Sequence, residues 1–212
     1  MDAEFWHERW QEGRIGFHEG RVNRMLAAHI DALHLSEGAR LFMPLCGKAF
    51  DIHWLVHEGY RVAGIELSEI AVQELFADLG VTPEVTQAGP LKRFAATGVE
   101  VFVGDIFALT ADMLGPVDAV YDRAALVALP AEMRGPYTRH VAQITGTAPQ
   151  LLVTFQYDQA LMDGPPFSLT EDTVRDLYGA RYAITVLERA DVPGGLKGVV
   201  EATESALLLQ PS

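Results

Sequence analysis

Four stretches of the chain end in residues suited to binding or to chemistry: Leu45-Cys46-Gly47, Glu66, Asp105-Ile106 and Asp122-Arg123. Each closes a short run of apolar and β-branched residues of the kind that forms strands. In an open parallel sheet, ligands bind just outside the carboxyl ends of the strands. Four such ends therefore predict one composite site. Glu66 lies 19 residues after Gly47, close to the spacing at which an acidic side chain reaches a ribose diol. A carboxylate suits that contact because its two oxygens can accept from both hydroxyls.

The loop PLCGKAFD narrows the ligand. Dinucleotide sites use G-x-G-x-x-G, whose glycines let backbone amides approach a pyrophosphate. Here Pro44 and Leu45 stand in place of the early glycines and only Gly47 remains. A P-loop is excluded as well, because Gly47-Lys48 lacks the earlier Gly and the following Ser or Thr. A nucleoside without phosphate fits better, and S-adenosyl-L-methionine is the expected cofactor. Its cationic sulfonium suits an acidic, aromatic-rich surround.

Other candidates are weaker. His53 and His57 are four apart, but Trp54 stands where a zinc H-E-x-x-H motif needs Glu. Cys46 has no sequence-evident base and reads as a packed thiol. His18-Glu19 is a weaker candidate for a proton relay. Pro165-Pro166-Phe167 is expected to wall an acceptor pocket.

The elements that must position these residues alternate between β-rich and helix-like runs, the pattern of a parallel sheet covered on both faces. Strands are expected at Arg40 to about Leu45, Arg61–Leu67, Val99–Gly104, Val117–Tyr121 and Leu151–Phe155, with late strands near Tyr182–Leu187 and Val199–Leu209. Helices are predicted over Ala49–Glu58, from an N-cap at Ser68 to Leu79, from Pro130 to about Thr145, and from an N-cap at Thr170 to Tyr178. Residues 81 to 98 carry two Pro and two Gly and read as an insertion. Pro193-Gly194-Gly195 signals a hairpin, so the final strand is expected to run antiparallel. Ahead of the first strand, Trp6 and Trp10 share a helix face, and Val22, Leu26, Ile30 and Leu33 form a second amphipathic stretch.

With 212 residues, 49% of them hydrophobic, the chain reads as one globular domain. Its net charge of −13 counts against nucleic acid and against an anionic membrane surface, which leaves a small molecule as the expected partner. One cysteine excludes an intrachain disulfide. No signal-peptide pattern and no bilayer-length apolar run is visible, so a soluble cytoplasmic α/β domain is expected. The absence of a long apolar surface stripe predicts a monomer.

LFMPLCGKAFDIHWLVHEGYRVAGIELSE (41 to 69), YDRAALVALP (121 to 130) and GPPF (164 to 167) together resemble the thiopurine S-methyltransferases, in particular their bacterial branch. FWHERWQEGRIGFHEG (5 to 20) resembles the cofactor lid of that family. The resemblance implies an α/β class I methyltransferase, Rossmann-like fold. It has a seven-stranded, mostly parallel sheet with the last strand antiparallel, helices on both faces and a helical lid. Residues 1–38 would be lid and helix, and residues 39–212 the core. It implies a cofactor site of Trp10, Leu45, Glu66, Asp105, Ile106 and Arg123. Trp6 and Phe17 would lie in the covering segment, and Phe17, Arg123 and Arg189 would meet the substrate. Arg123 is the candidate catalytic group, with Asp122 expected to orient its guanidinium. The implied reaction is methyl transfer to the sulfur of an aromatic or heterocyclic thiol, with no general base assigned. Halide or thiocyanate methylation, methylation of selenium or tellurium oxyanions, and a non-catalytic cofactor-binding module are the alternatives.

Overall fold

The computed structural model describes residues 3–16 and 18–212. Helix α1 (Ala3–Gln11) leads through a connecting segment to α2 (Arg24–His29). Asn23 caps α2 by accepting from the backbone N–H of Met25 at 2.9 Å and of Leu26 at 3.3 Å. The sheet then begins with β1 (Arg40–Pro44), followed by α3 (Phe50–His57), β2 (Arg61–Glu66) and α4 (Glu69–Asp78). Strands β3 (Glu84–Ala88), β4 (Leu91–Ala96) and β5 (Val99–Val103) come next. They are followed by the short α5 (Ala111–Leu114), β6 (Ala119–Arg123), α6 (Ala131–Ile144), β7 (Gln150–Gln156), α7 (Glu171–Tyr178), β8 (Tyr182–Asp191) and β9 (Thr203–Pro211).

The sheet order is β3-β4-β5-β2-β1-β6-β7-β9-β8. Strands β5, β2, β1, β6 and β7 are mutually parallel, and β9 lies antiparallel between β7 and β8. The seven strands expected from sequence are all present, with the last antiparallel. The sheet has nine strands rather than seven, because residues 81 to 98 are not a loop insertion. They hold an antiparallel hairpin, β3–β4, that extends the sheet beyond β5. Strand β3 is almost wholly exposed, so it lacks the apolar alternation by which a half-buried strand is recognised. The helix spans agree with expectation to within a residue or two at each end.

Alternation along the central strands feeds two cores. Phe42, Ala63 and Ile65 pack with Tyr137, Val141 and Tyr178 from α6 and α7 on one face. Leu41, Met43 and Val62 pack with Met25, Ile52, Leu55 and Phe76 from α2, α3 and α4 on the other. The same alternation separates Asp122 from Arg123. Asp122 is fully buried beneath the sheet end, accepting from the Tyr137 hydroxyl at 2.6 Å and the Leu126 N–H at 3.1 Å. It therefore does not orient the Arg123 guanidinium as the sequence suggested.

Burial pushes the Asp122 carboxyl up to about 6 from its ordinary 3.8, against the opposing effect of its hydrogen bonds. The folded chain thus holds this proton more tightly than the unfolded chain. The stabilisation from protonated Asp122 is present below its ordinary value and lost as pH rises through about 6. Asp122→Asn is expected to flatten the fall in stability between about pH 4 and pH 6. Denaturant midpoints of wild type and variant across that window check it, and parallel slopes would contradict it.

Candidate active site

The turn after β1 is shaped by backbone that side chains seldom tolerate. Leu45 has φ +47° and Gly47 φ +52°, in the left-handed region. Gly47 also sits against α1: a Cβ there would meet the Trp10 ring at 3.0 Å. Only glycine allows both the conformation and the approach. Beneath the turn, Cys46 is buried, and its Sγ would lie 2.7 Å from a Cβ added at Gly64. Burial raises its thiol pKa, with the negative charge of Glu66 acting in the same direction. Cys46 is a packed thiol beside the site.

Glu66 closes β2 and is only 6% exposed. One carboxylate oxygen accepts from the Gly47 N–H and the other from the Ser68 N–H, each at 2.8 Å. Burial raises its pKa and these amides oppose the rise. Four lone-pair directions serve two such bonds, so acceptor capacity remains towards the cleft that Glu66 lines. Asp105 caps the helical turn Ile106–Ala108 by accepting from the Phe107 N–H at 3.0 Å. The Ile106 carbonyl meets His140 Nε2 at 2.8 Å. Asp105 and Ile106 line a small recess of about 60 Å³, together with Leu45, Leu67, Phe107 and Leu129.

Arg123 ends β6 next to Ala124, which has φ +63°. Its side chain is only 10% exposed. Its Nη2 donates to Glu19 Oε1 at 2.5 Å, while its buried Nε has no partner. The connecting segment after α1 thus reaches the sheet through an ion pair. Trp6, Trp10, Leu45, Glu66, Glu19 and Arg123 all line one cleft of about 1000 Å³, as do Pro165 and Pro166. His18 lines it too, and its pKa is lowered by burial and by Lys48. Of the sequence-predicted residues, Trp10, Leu45, Glu66 and Arg123 meet in this cleft, and Asp105 and Ile106 sit in the recess that shares Leu45 and Leu67 with it.

Two predicted residues stand apart. Phe17 lies outside the described residues. Arg189 is not brought to the cleft: it is exposed and ion-paired to Glu171, with Nε donating at 2.6 Å. Its neighbours Glu188 and Ala190 face the cleft instead. Sequence reasoning missed Asn23, Glu188 and Glu204, which also line it, while Glu19 was named there only as part of the His18-Glu19 pair. Among the described residues no cluster of His, Cys, Asp or Glu is placed to hold a metal ion. His53 stacks on Phe50 with ring centroids 5.2 Å apart, and His57 is exposed beside Glu58.

The donor set fits S-adenosyl-L-methionine. It offers a buried carboxylate with spare acceptor capacity, a glycine-walled turn under an indole, an apolar recess next to an aspartate, and a guanidinium with a buried unpaired N–H. Glu66→Ala is expected to weaken binding of S-adenosylhomocysteine by about 1.5–3 kcal/mol, the scale of hydrogen bonds to a charged group. It should also lower stability, because two amides lose their acceptor. Calorimetry at a temperature where the variant is folded tests the first effect, and unchanged affinity would remove Glu66 from the ligand site.

The thiopurine S-methyltransferase family profile matches residues 1–209. A thiopurine S-methyltransferase of Xanthobacter autotrophicus is 59% identical over 211 residues, covering 99% of both chains. One from Gluconobacter oxydans is 49% identical over 210 residues, covering 99% of this chain and 96% of the other. Among solved structures, the Burkholderia thailandensis 1,6-didemethyltoxoflavin-N1-methyltransferase, with S-adenosylhomocysteine bound, superposes with a TM-score of 0.67 at 16% identity. That superposition covers 99% of this chain and 87% of that one and shows the shared methyltransferase fold. With a profile match over nearly its whole length and relatives this similar from end to end, the chain belongs to the thiopurine S-methyltransferase family.

Proposed function

We propose that the protein transfers the methyl group of S-adenosyl-L-methionine to the sulfur of an aromatic or heterocyclic thiol, as in thiopurine S-methylation. The observation that carries this reading is the end-to-end similarity to enzymes of that name, at up to 59% identity. When bound, the cofactor supplies an electrophilic methyl on a sulfonium sulfur that leaves as a neutral thioether. Glu66, Trp10 and Leu45 would hold its nucleoside and flank it, Asp105 and Ile106 would receive the base, and Arg123 would reach the junction with the acceptor.

The protein's contribution is alignment and dehydration. Aligned proximity is worth about 7–11 kcal/mol in favourable cases. A guanidinium beside a thiol supplies a cation, and a cation there lowers the thiol's pKa. Residues 1–38 act as lid and helix of a single catalytic unit with the core 39–212. That α1 supplies Trp6, Arg9 and Trp10 to the cleft supports the lid. We also read the protein as a cytoplasmic monomer, in keeping with one free, buried cysteine.

Turnover of cofactor to S-adenosylhomocysteine with an aryl thiol, iodide or selenite tests the reaction. The aryl thiol is expected to win, and preference for iodide or selenite would overturn the reading. Arg123→Ala is expected to lower kcat/KM for the thiol by about 10- to 100-fold, with the melting temperature nearly kept. Arg123→Lys should recover only part, because it loses the planar fork. Normal turnover by folded Arg123→Ala would remove the residue from the reaction.

Hydrogen exchange at residues 3–16 is expected to slow when S-adenosylhomocysteine binds. Equal exchange with and without ligand would reject the lid.

A further inference from the structure

Glu204 was invisible in the sequence and stands on the floor of the cleft. On the sheet it pairs in register with Phe155 of β7 on one side and Ala190 of β8 on the other. All three line the cleft. An apolar row is thus interrupted by one carboxylate.

Its orientation is fixed by Asn23. The Asn23 side-chain oxygen is committed to capping α2, and its N–H donates to Asp51 Oδ1 at 2.6 Å. The amide Nδ2 must therefore point the other way, and it donates to Glu204 Oε1 at 3.2 Å. Oε2 is left free of any hydrogen bond within the described residues.

Apart from Asp191, which is exposed, the other carboxylates lining the cleft are already engaged. Glu66 holds two amides, Glu19 holds Arg123, and Glu188 meets both Arg24 and His29 at 2.7 Å. Among the described residues Glu204 makes no ion-pair contact. The charged groups that face it are Arg123 of β6, Arg24 of α2 and Glu19 of the connecting segment, while β7 presents only Phe155. Burial raises its pKa, and the two arginines and Asn23 hold the rise down. A carboxylate raised in this way is closer in basicity to an acidic thiol, the match that efficient proton transfer needs.

We propose that Glu204 is the general base that takes the proton of the acceptor thiol, a role resting on the methyl-transfer reading above. The S–H proton passes to Glu204 Oε2, and the electron pair of that bond stays on sulfur. The thiolate then uses a lone pair to form the new S–C bond, as the sulfonium keeps the pair of the bond that breaks. Protonated Glu204 afterwards releases its proton to solvent. Proton transfer moves one negative charge from carboxylate to sulfur in the field of Arg123, so the net charge of the cleft is unchanged. Thiols already ionised at the working pH need no such step.

The test is kcat/KM of wild type and Glu204→Gln across thiols of graded acidity, from a nitro-substituted aryl thiol to benzyl thiol. The variant is expected to lose about 100-fold or more with benzyl thiol and no more than a few-fold with the pre-ionised thiol. The acidic limb of the benzyl thiol pH profile should vanish with it. Glu204→Asp, which keeps a carboxylate, should recover part of the loss even if Glu204→Gln folds poorly. An equal loss for every thiol, or none, overturns the base. The same selective pattern in His18→Gln but not in Glu204→Gln also overturns it, in favour of His18. Wild type inert toward every thiol overturns the methyl-transfer reading itself, and the base with it.

Discussion

One buried carboxylate ties together the strand ends on which the cleft is built. Through its side chain Glu66 binds the Gly47 amide beyond β1 and the Ser68 amide at the start of α4. Through its carbonyl it accepts from the Gly104 N–H beyond β5, at 2.9 Å. Three neighbouring strand ends therefore meet at one residue. Burying a carboxylate is costly unless it is hydrogen-bonded, and here the partners are backbone amides that strand geometry alone leaves open. The left-handed Leu45 and Gly47 are held by this arrangement and by Cys46 N–H donating to Ile65 O at 3.0 Å. The turn is thereby set before any ligand arrives, so binding need not meet the entropy of ordering it.

The second organising feature is the contrast between neighbouring residues on β6. Asp122 turns down among Tyr137 and the 125–128 turn, whereas Arg123 turns up into the cleft. The partner of Arg123 comes from far away in sequence, at Glu19. The segment between α1 and α2 is thus coupled electrostatically to the end of β6. A guanidinium with one N–H unpaired and little water around it is under-satisfied, a state that favours an incoming acceptor.

Much of this was legible in the residue order, for identifiable reasons. β1, β2, β5 and β6 are short apolar runs closed by glycine, acid or arginine, and both the runs and their closing residues survive in the fold. Glu66 was found because sequence spacing reports on a local β-turn-α-β unit. The hairpin 84–96 was missed because an exposed edge strand such as EVTQA carries no apolar face. Arg189 was assigned by resemblance alone, and on β8, which changes register between Val186 and Glu188, its neighbours Glu188 and Ala190 line the cleft instead. A one-residue shift exchanges the faces of everything beyond it. Asn23 and Glu204 were hidden because each gains its place from the other, more than a hundred positions away, and the Arg123 partner of Glu19 was hidden for the same reason.

The position of β9 has a consequence for the order in which the molecule is made. Strand β8 pairs with β9 and with no other strand, yet it precedes β9 in the chain. On the ribosome β8 emerges as an orphan, unable to satisfy its backbone until the following strand slides between it and β7. The half built from β1 to β5 depends on no later strand for its own pairing except at β6. The wall that carries Glu66 can therefore form while the chain is still growing, and the wall that carries Glu204 closes only when β9 arrives. Nascent chains stalled before β9 would display the flank of β7 as an open template for another strand.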